Sequence, residues 1–366
     1  MHTLKSAEDY CRKSKPFWFT LGLMKSLANI VQHNCHISDA RFAGNYTLCI
    51  YLLKMREYYR WEQNIPYTTK LSYDQIGSWL AEKEGLWDDV EENDYQSLHL
   101  ENEIFDPFDN ELVNQQLEQH KLIYSGGYAS YGKPVFFLAE LERKTVFEDY
   151  TLYIAGHELA RDLTAPPGMA SNKTIFIRKE SLRRFIWEKF EESHWHKQEN
   201  PLARALACYD FHNQPEQSLE NMASMETDTV LHHEIGEIQA SKVLGDAWDK
   251  MVMDMPRSQI EFMARAIKDH IADAVSTLPR LIENREDAQV HFYFANFTAM
   301  RKMLFPSLYE AYQVWQQQGS ISALEELTER SKEHWTGLAS QMLEIFDASQ
   351  VDGYSEMQVL IETNYL

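Results

Sequence analysis

Residues 225–237 read METDTVLHHEIGE and put ionisable side chains where a packed helix wants leucine or isoleucine. Steps of four and three from Leu219 pass through Ala223, Glu226, Val230, His233, Glu237, Ala240, Leu244, Ala247 and Met251. That is an apolar seam of heptad-like spacing interrupted by two carboxylates and an imidazole. Such groups are costly to bury unless they are paired, hydrogen-bonded or bound to a metal. Histidine and carboxylate together suit a first-row divalent transition metal such as Fe, Mn or Zn.

The element that must position these groups is residues 215–254, which hold no internal proline and are expected to form one long amphipathic helix. Pro256 ends it. Reflecting that helix through the turn, at ~1.5 Å per residue, brings Glu237 level with about residue 276 and His233 level with about residue 280. A second reflection near Arg285 brings about residues 291–294 to the same height. Asp273 and His291 therefore join His233 and Glu237 as expected ligands. His270 interrupts a core line of its own (Ile260, Met263, Ile267, His270, Ala274, Thr277, Leu281) and is the outlying member, about 9 Å from that level. Glu226 drops out, because it lies about 10 Å from His233 along the axis. Glu234, beside His233, is the candidate acid–base residue. The i,i+4 pairs Asp228/His232, His233/Glu237 and Asp287/His291 can each supply a ligand and a group that orients it. Gly236 costs ~1 kcal/mol in a helix relative to alanine, so its place here would mark the close approach of a neighbouring helix or a ligand.

No familiar metal motif fits. The ferritin-like pattern needs Glu-x-x-His on two helices and is missing. The run from His233 to Glu237 departs from HExxH because Glu237 stands where the second histidine would be. Two classes of function follow. One is a metal-binding helical-bundle protein acting as a metal-dependent oxidoreductase or hydrolase on a small molecule. The other is a non-catalytic interaction or scaffold protein whose buried His/Glu cluster sets helix register, with Arg265 or Arg301 neutralising an acid.

Other candidates carry less. His33, Cys35 and His36 sit together without a second pair at structural-zinc spacing. His157 and Glu158, followed by Arg161 and Asp162, concentrate charge at a strand end and suit a solvated edge. A P-loop, a GxGxxG turn after a strand and a GxSxG elbow are all missing. Cys35 and Cys208 are thiols without an identifiable base.

The chain has 366 residues and a formal charge of −21, which disfavours nucleic acid and anionic membrane as partners. The basic runs at 12–15 and 178–184 are short and read as helix faces or termini. Four cysteines without a CxxC pair fit a reducing compartment. The opening residues lack the apolar core of a signal peptide, and no apolar run reaches membrane-spanning length. A soluble, cytoplasmic protein is expected, with a small molecule or another protein as partner.

The wider pattern is mainly α with a β insertion (α+β). Helices are expected over residues 16–34, 40–62 (capped by Ser38 or Asp39) and 73–84, followed by an acidic loop over 86–109. Alternating residues over 133–141 and β-rich residues over 150–157 predict a hairpin, and 173–177 predicts a further strand of a small antiparallel sheet. Helix returns over 181–192, 201–211 and 215–254. A capping box at 258–261 opens another helix to 282, bent near Pro279. Residues 287–304, extended towards 318, and 322–347 complete an antiparallel bundle of long helices. The expected division is 1–115 helical, 116–178 β-rich and 179–366 the bundle.

Overall fold

The computed structural model describes residues 17–100, 102–129, 132–171, 173–194, 199–256, 258–349 and 353–366. Cys11 and the basic run at 12–15 lie outside the described residues. The chain is mainly helical with an α+β composition, as its periodicities require. Its residues form two compact units. The first comprises the described residues of Met1–Tyr59 with Leu71–Leu141 and His157–Ala165, and the second comprises Arg60–Lys70, Glu142–Gly156 and Pro166–Leu366. Among the described residues, no helix is long and apolar enough to cross a membrane.

The first unit begins with helix α1 (Phe17–Phe42), followed by α2 (Leu48–Glu62), whose last three residues belong to the second unit, and α3 (Tyr73–Val90). Strands β1 (Leu98–Leu100) and β2 (Glu103–Phe105) pair antiparallel, and α4 (Asn110–Leu117) leads to β3 (Leu122–Tyr128). Leu27, Val31 and Cys35 repeat every fourth residue on α1 and bury against Val113, Tyr124 and Phe136, as an amphipathic helix should. Ser38 and Asp39 do not cap a new helix, because α1 runs straight through them. Both are fully buried, and their side chains are used elsewhere. Ser38 Oγ donates to the Pro134 carbonyl. Asp39 accepts from Lys133 Nζ at 2.8 Å and from the Leu163 amide at 2.8 Å. Distant partners outbid the local cap.

Strands β4 (Pro134–Val146) and β5 (Thr151–Arg161) contribute to both units. β6 (Gly168–Ser171) and β7 (Thr174–Arg178) belong to the second. The strand order is β3-β4-β5-β7-β6. The expected small antiparallel sheet is thus corrected to a mixed one. β3 runs antiparallel to β4, but β7 runs parallel to β5, in register from Thr151↔Thr174 to Ala155↔Arg178. β6 lies antiparallel on the outer side of β7 and so returns the chain to the end at which β5 starts.

The second unit continues through α5 (Lys179–Ser193), α6 (Pro201–Ala207) and α7 (Pro215–Asp254). α7 is not the uninterrupted rod expected. Gly245 adopts φ 70° and ψ 178°, which breaks the helix there in a conformation open to glycine and penalised in other residues. Next come α8 (Gln259–Ala272), a π-helical turn over Asp273–Thr277, α9 (Leu278–Asn284) and α10 (Asp287–Ala295). The bend expected at Pro279 takes the form of this π turn. The ring of a proline clashes with the carbonyl four residues back in a regular helix, and a wider i→i+5 turn just before it relieves that crowding. Ser258 precedes α8, but its hydroxyl donates to the Pro256 carbonyl instead of completing a capping box.

Residues 287–318 form three helices instead of one. After α10 come α11 (Ala299–Leu304), capped by Thr298 Oγ1 accepting from the Arg301 amide, and α12 (Pro306–Gln318). α13 (Ser322–Ser349) and α14 (Tyr354–Glu362) finish the chain. The main core gathers Leu244, Trp248, Met263, Ile267, Tyr312, Trp335 and Met342. A second face of α7, with Val230, Leu231, Ile235 and Ile238, covers Leu152, Ile154, Ile175 and Ile177 of the sheet. At Gly236 a methyl group would sit 2.3 Å from the Ala272 carbonyl oxygen, so α7 meets the end of α8 backbone to backbone.

Candidate functional site

That contact brings the seam of α7 against the π turn. Asp273, the first residue of the turn, is 1% exposed and accepts from three elements. His233 Nδ1 of α7 lies 3.1 Å from Oδ1, and the Tyr293 hydroxyl of α10 donates to Oδ2 at 2.6 Å. Arg301 Nη2 of α11 also donates to Oδ2 and reaches the Tyr293 hydroxyl at 2.9 Å. The Arg301 guanidinium lies 4.7 Å above the Phe297 ring, a favourable seat for a desolvated cation.

The electrostatics follow from this packing. Burial alone would raise Asp273, but the charge of Arg301 and the His233 and Tyr293 hydrogen bonds hold it well below the usual carboxylate range. Burial opposes charging of His233, yet its bond to Asp273, with Glu234 and Glu237 nearby, lifts it to about 10. The His233 side chain keeps about a third of its surface (34%) open, so solvent screens part of this effect. Burial lifts Glu234 to about 7, against the pull of His233 and of the Ala170 amide on edge strand β6. β6 fits this close because residue 168 is glycine: a methyl group there would lie 2.6 Å from Glu234 Oε1.

Beside this network, His233, Glu237 and Asp269 each offer a ligand atom within 4.8 Å of the others. Asp269 lies one turn before Asp273 on α8, and burial lifts its carboxyl to about 6. With His233 Nδ1 engaged by Asp273, Nε2 is the nitrogen left for an ion. In carboxylate–histidine–metal arrangements a second carboxylate fixes the ring in this way. Lys268 Nζ stands 3.3 Å from Glu237 Oε2 and already supplies some counter-charge there.

The other expected residues lie elsewhere. His291 Nδ1 pairs with the Tyr312 hydroxyl at 2.9 Å, and its ring packs 5.1 Å from that of Trp315. Tyr293, two residues on, is the α10 side chain that reaches Asp273. His270 sits 3.2 Å from the Arg301 carbonyl through Nε2 and stacks on Trp335 at 4.8 Å. Burial and the nearby Arg301 push His270 down to about 3, so it is neutral. His232 Nδ1 lies 3.1 Å from Ser276 Oγ. In the first unit, Trp87 Nε1 donates to His36 Nδ1 at 3.2 Å.

A cavity of about 270 Å³ opens beside the network. Asp273, Tyr293, Arg301, His233 and Glu234 line it, together with Glu226, Thr277 and Asn296, and Leu182, Phe185, Val230 and Phe292 form apolar walls. Sequence reasoning passed over Tyr293, Asn296, Thr277 and Asp269. The one available signal was Asp269 itself, four residues before Asp273 and so on the same helical face.

Fold and site together describe a mainly helical α+β protein with a buried histidine–carboxylate–arginine network in its second unit. Residues 26–178 match the Family of unknown function (DUF6866) N-terminal domain, and residues 183–364 match the Family of unknown function (DUF6866) C-terminal domain. The chain therefore carries both domains of that family in order. No curated protein and no solved structure matches it.

Proposed function

We propose that this chain binds a divalent transition ion, Fe, Mn or Zn, through His233, Glu237 and Asp269, and uses it on a small-molecule substrate. The observation that carries the reading is the approach of those three ligand atoms to within 4.8 Å next to a carboxylate that holds His233 through Nδ1. Three protein ligands leave open positions at an ion, as a site that activates water or binds substrate requires. Hydrolytic and redox chemistry both suit such a set. Glu234, adjacent in sequence to His233 and lining the cavity, is the acid–base candidate. In this reading the C-terminal helices work as an antiparallel bundle that presents one face of α7 and one of α8 to the ion, in a soluble cytoplasmic protein.

The test combines metal content with thermal stability. Adding Mn(II), Fe(II) or Zn(II) should raise the melting temperature, because an ion at 100 times its dissociation constant stabilises by ~2.7 kcal/mol. His233→Ala and Glu237→Gln should abolish the rise, whereas His291→Ala should keep it. Purified protein without bound metal, and a melting temperature that no ion shifts, would sink the reading.

Lys268 beside Glu237 and Arg301 on Asp273 favour a second reading, a non-catalytic interaction or scaffold protein in which the cluster only fixes helix register. It predicts that His233→Ala lowers stability in metal-free protein and that added ions change nothing.

A further inference from the structure

The cavity beside the network contains polar groups that the network leaves unused. Glu226, on α7, is 1% exposed. Thr229 satisfies one of its oxygens, whereas Oε1 is buried without a protein partner. Among the described residues, no lysine, arginine or histidine forms an ion pair with it. Thr277 Oγ1, at the end of the π turn, and Arg301 Nε are likewise buried and unpartnered. All three residues line the same cavity. Buried polar atoms are almost always satisfied in folded proteins, so orphans in the wall of one cavity point to a polar ligand, and the two that can accept, Glu226 Oε1 and Thr277 Oγ1, call for a donor.

The charges say which kind. The two cationic side chains that line the cavity, Arg301 and His233, are both engaged by Asp273, so an anion would meet Glu226 without gaining a free cation. Glu226 has no ion-pair partner among the described residues, and burial lifts its carboxyl to about 8, so at neutral pH it keeps its proton while the site is empty. An incoming ammonium group would take the place of that proton, which leaves to solvent, and supply the counter-charge the protein does not. The walls suit the rest of such a ligand. Phe185 and Phe292 meet edge to face at 6.1 Å, and aromatic faces hold a desolvated ammonium. A volume of about 270 Å³ falls just below the ~300–1,000 Å³ of pockets for drug-sized molecules, so the body of the ligand must be short.

We propose that this cavity is a binding site for a small primary ammonium compound with a short apolar or aromatic body, its N–H groups accepted by Glu226 Oε1 and Thr277 Oγ1. Binding here requires no metal ion, although His233 and Glu234 of the metal reading line the same cavity.

Binding of benzylamine, n-butylamine, benzyl alcohol and benzoate is measured by calorimetry and thermal shift on the full chain, in EDTA at neutral pH. Benzylamine should bind, benzyl alcohol at least ten-fold more weakly, and benzoate not at all. Glu226→Gln, which keeps the shape and cannot take on the negative charge that pairs with an ammonium, should weaken benzylamine at least ten-fold and leave benzyl alcohol unchanged. Thr277→Val should weaken benzylamine several-fold, and it carries the test if the Glu226 variant fails to fold. Benzoate binding as tightly as benzylamine, benzyl alcohol matching benzylamine, full affinity in both variants, or no binding by any probe would each overturn the proposal. Because EDTA removes metal throughout, failure here leaves the metal experiment intact, and failure there leaves this one.

Discussion

Asp273 is held by donors from three helices, and this makes the arginine among them hard to replace. Arg301→Met would leave a buried carboxylate without its main counter-charge, and breaking a buried pair in this way costs about 3–5 kcal/mol. Urea unfolding should show that loss, and the double variant Asp273→Leu/Arg301→Met should recover a large part of it. A loss no greater than the ~0.5 kcal/mol of an ordinary surface substitution would contradict the burial argument. Glu226 makes a separate prediction for pH. Its folded value of about 8 lies above its ordinary 4.5, so between those values the folded state holds more protons than the unfolded one. Stability should therefore fall as pH rises from about 4.5 to about 8 and level off above, by at most about 5 kcal/mol at 1.36 kcal/mol per pH unit. Glu226→Gln should lose this share of the slope, leaving that of Glu234 and Asp269, and be the more stable protein at pH 9. The seam of α7 was legible at this scale, since His233 and Glu226 stand out from their spacing alone. The partners were not. Helical rise fixes the height of a residue but not the side it faces, and two positions on α10 differ by about 200°, which separates His291 from Tyr293.

Among the elements, the crossing of α7 and α8 rests on Gly236. A methyl group there, 2.3 Å from the Ala272 carbonyl oxygen, meets backbone that cannot move aside like a side chain. Gly236→Ala should therefore destabilise by about 1–3 kcal/mol through overpacking, despite the better helix propensity of alanine. Chemical denaturation measures it, and a stabilised variant would refute the close crossing. The π turn over Asp273–Thr277 keeps count in a related way. Deleting one residue there would restore regular helix while turning Asp269 and His270 by about 100° relative to Thr277. Periodicity made most helices and the β4–β5 hairpin readable. It failed where a partner far along the chain decided the outcome, as for Asp39, which finds Lys133 and so never starts a helix. It failed again at Gly245, where nothing nearby announces a positive φ.

For the whole molecule, the family boundary and the compact units do not coincide. The family's two domains part between residues 178 and 183, yet β6 and β7 pack within the second unit. A fragment of residues 183–366 would strip Ile175 and Ile177 from the face of α7 that carries Ile235 and Ile238, and would remove the Ala170 amide from Glu234. Exposed apolar faces of that kind drive association. The fragment should elute as aggregate or bind a hydrophobic dye, and a monodisperse, cooperatively melting fragment would count against this account of the packing. The path of the chain has a further consequence, in time. Residues 60–70 belong to the second unit but are followed by most of the first. During synthesis that segment emerges early, long before Trp187, against which Tyr67 packs, and before Glu216, to which Thr68 donates at 2.7 Å. A ribosome making this protein therefore releases a piece of the second unit that must wait, through more than a hundred further residues, for the surface it will join.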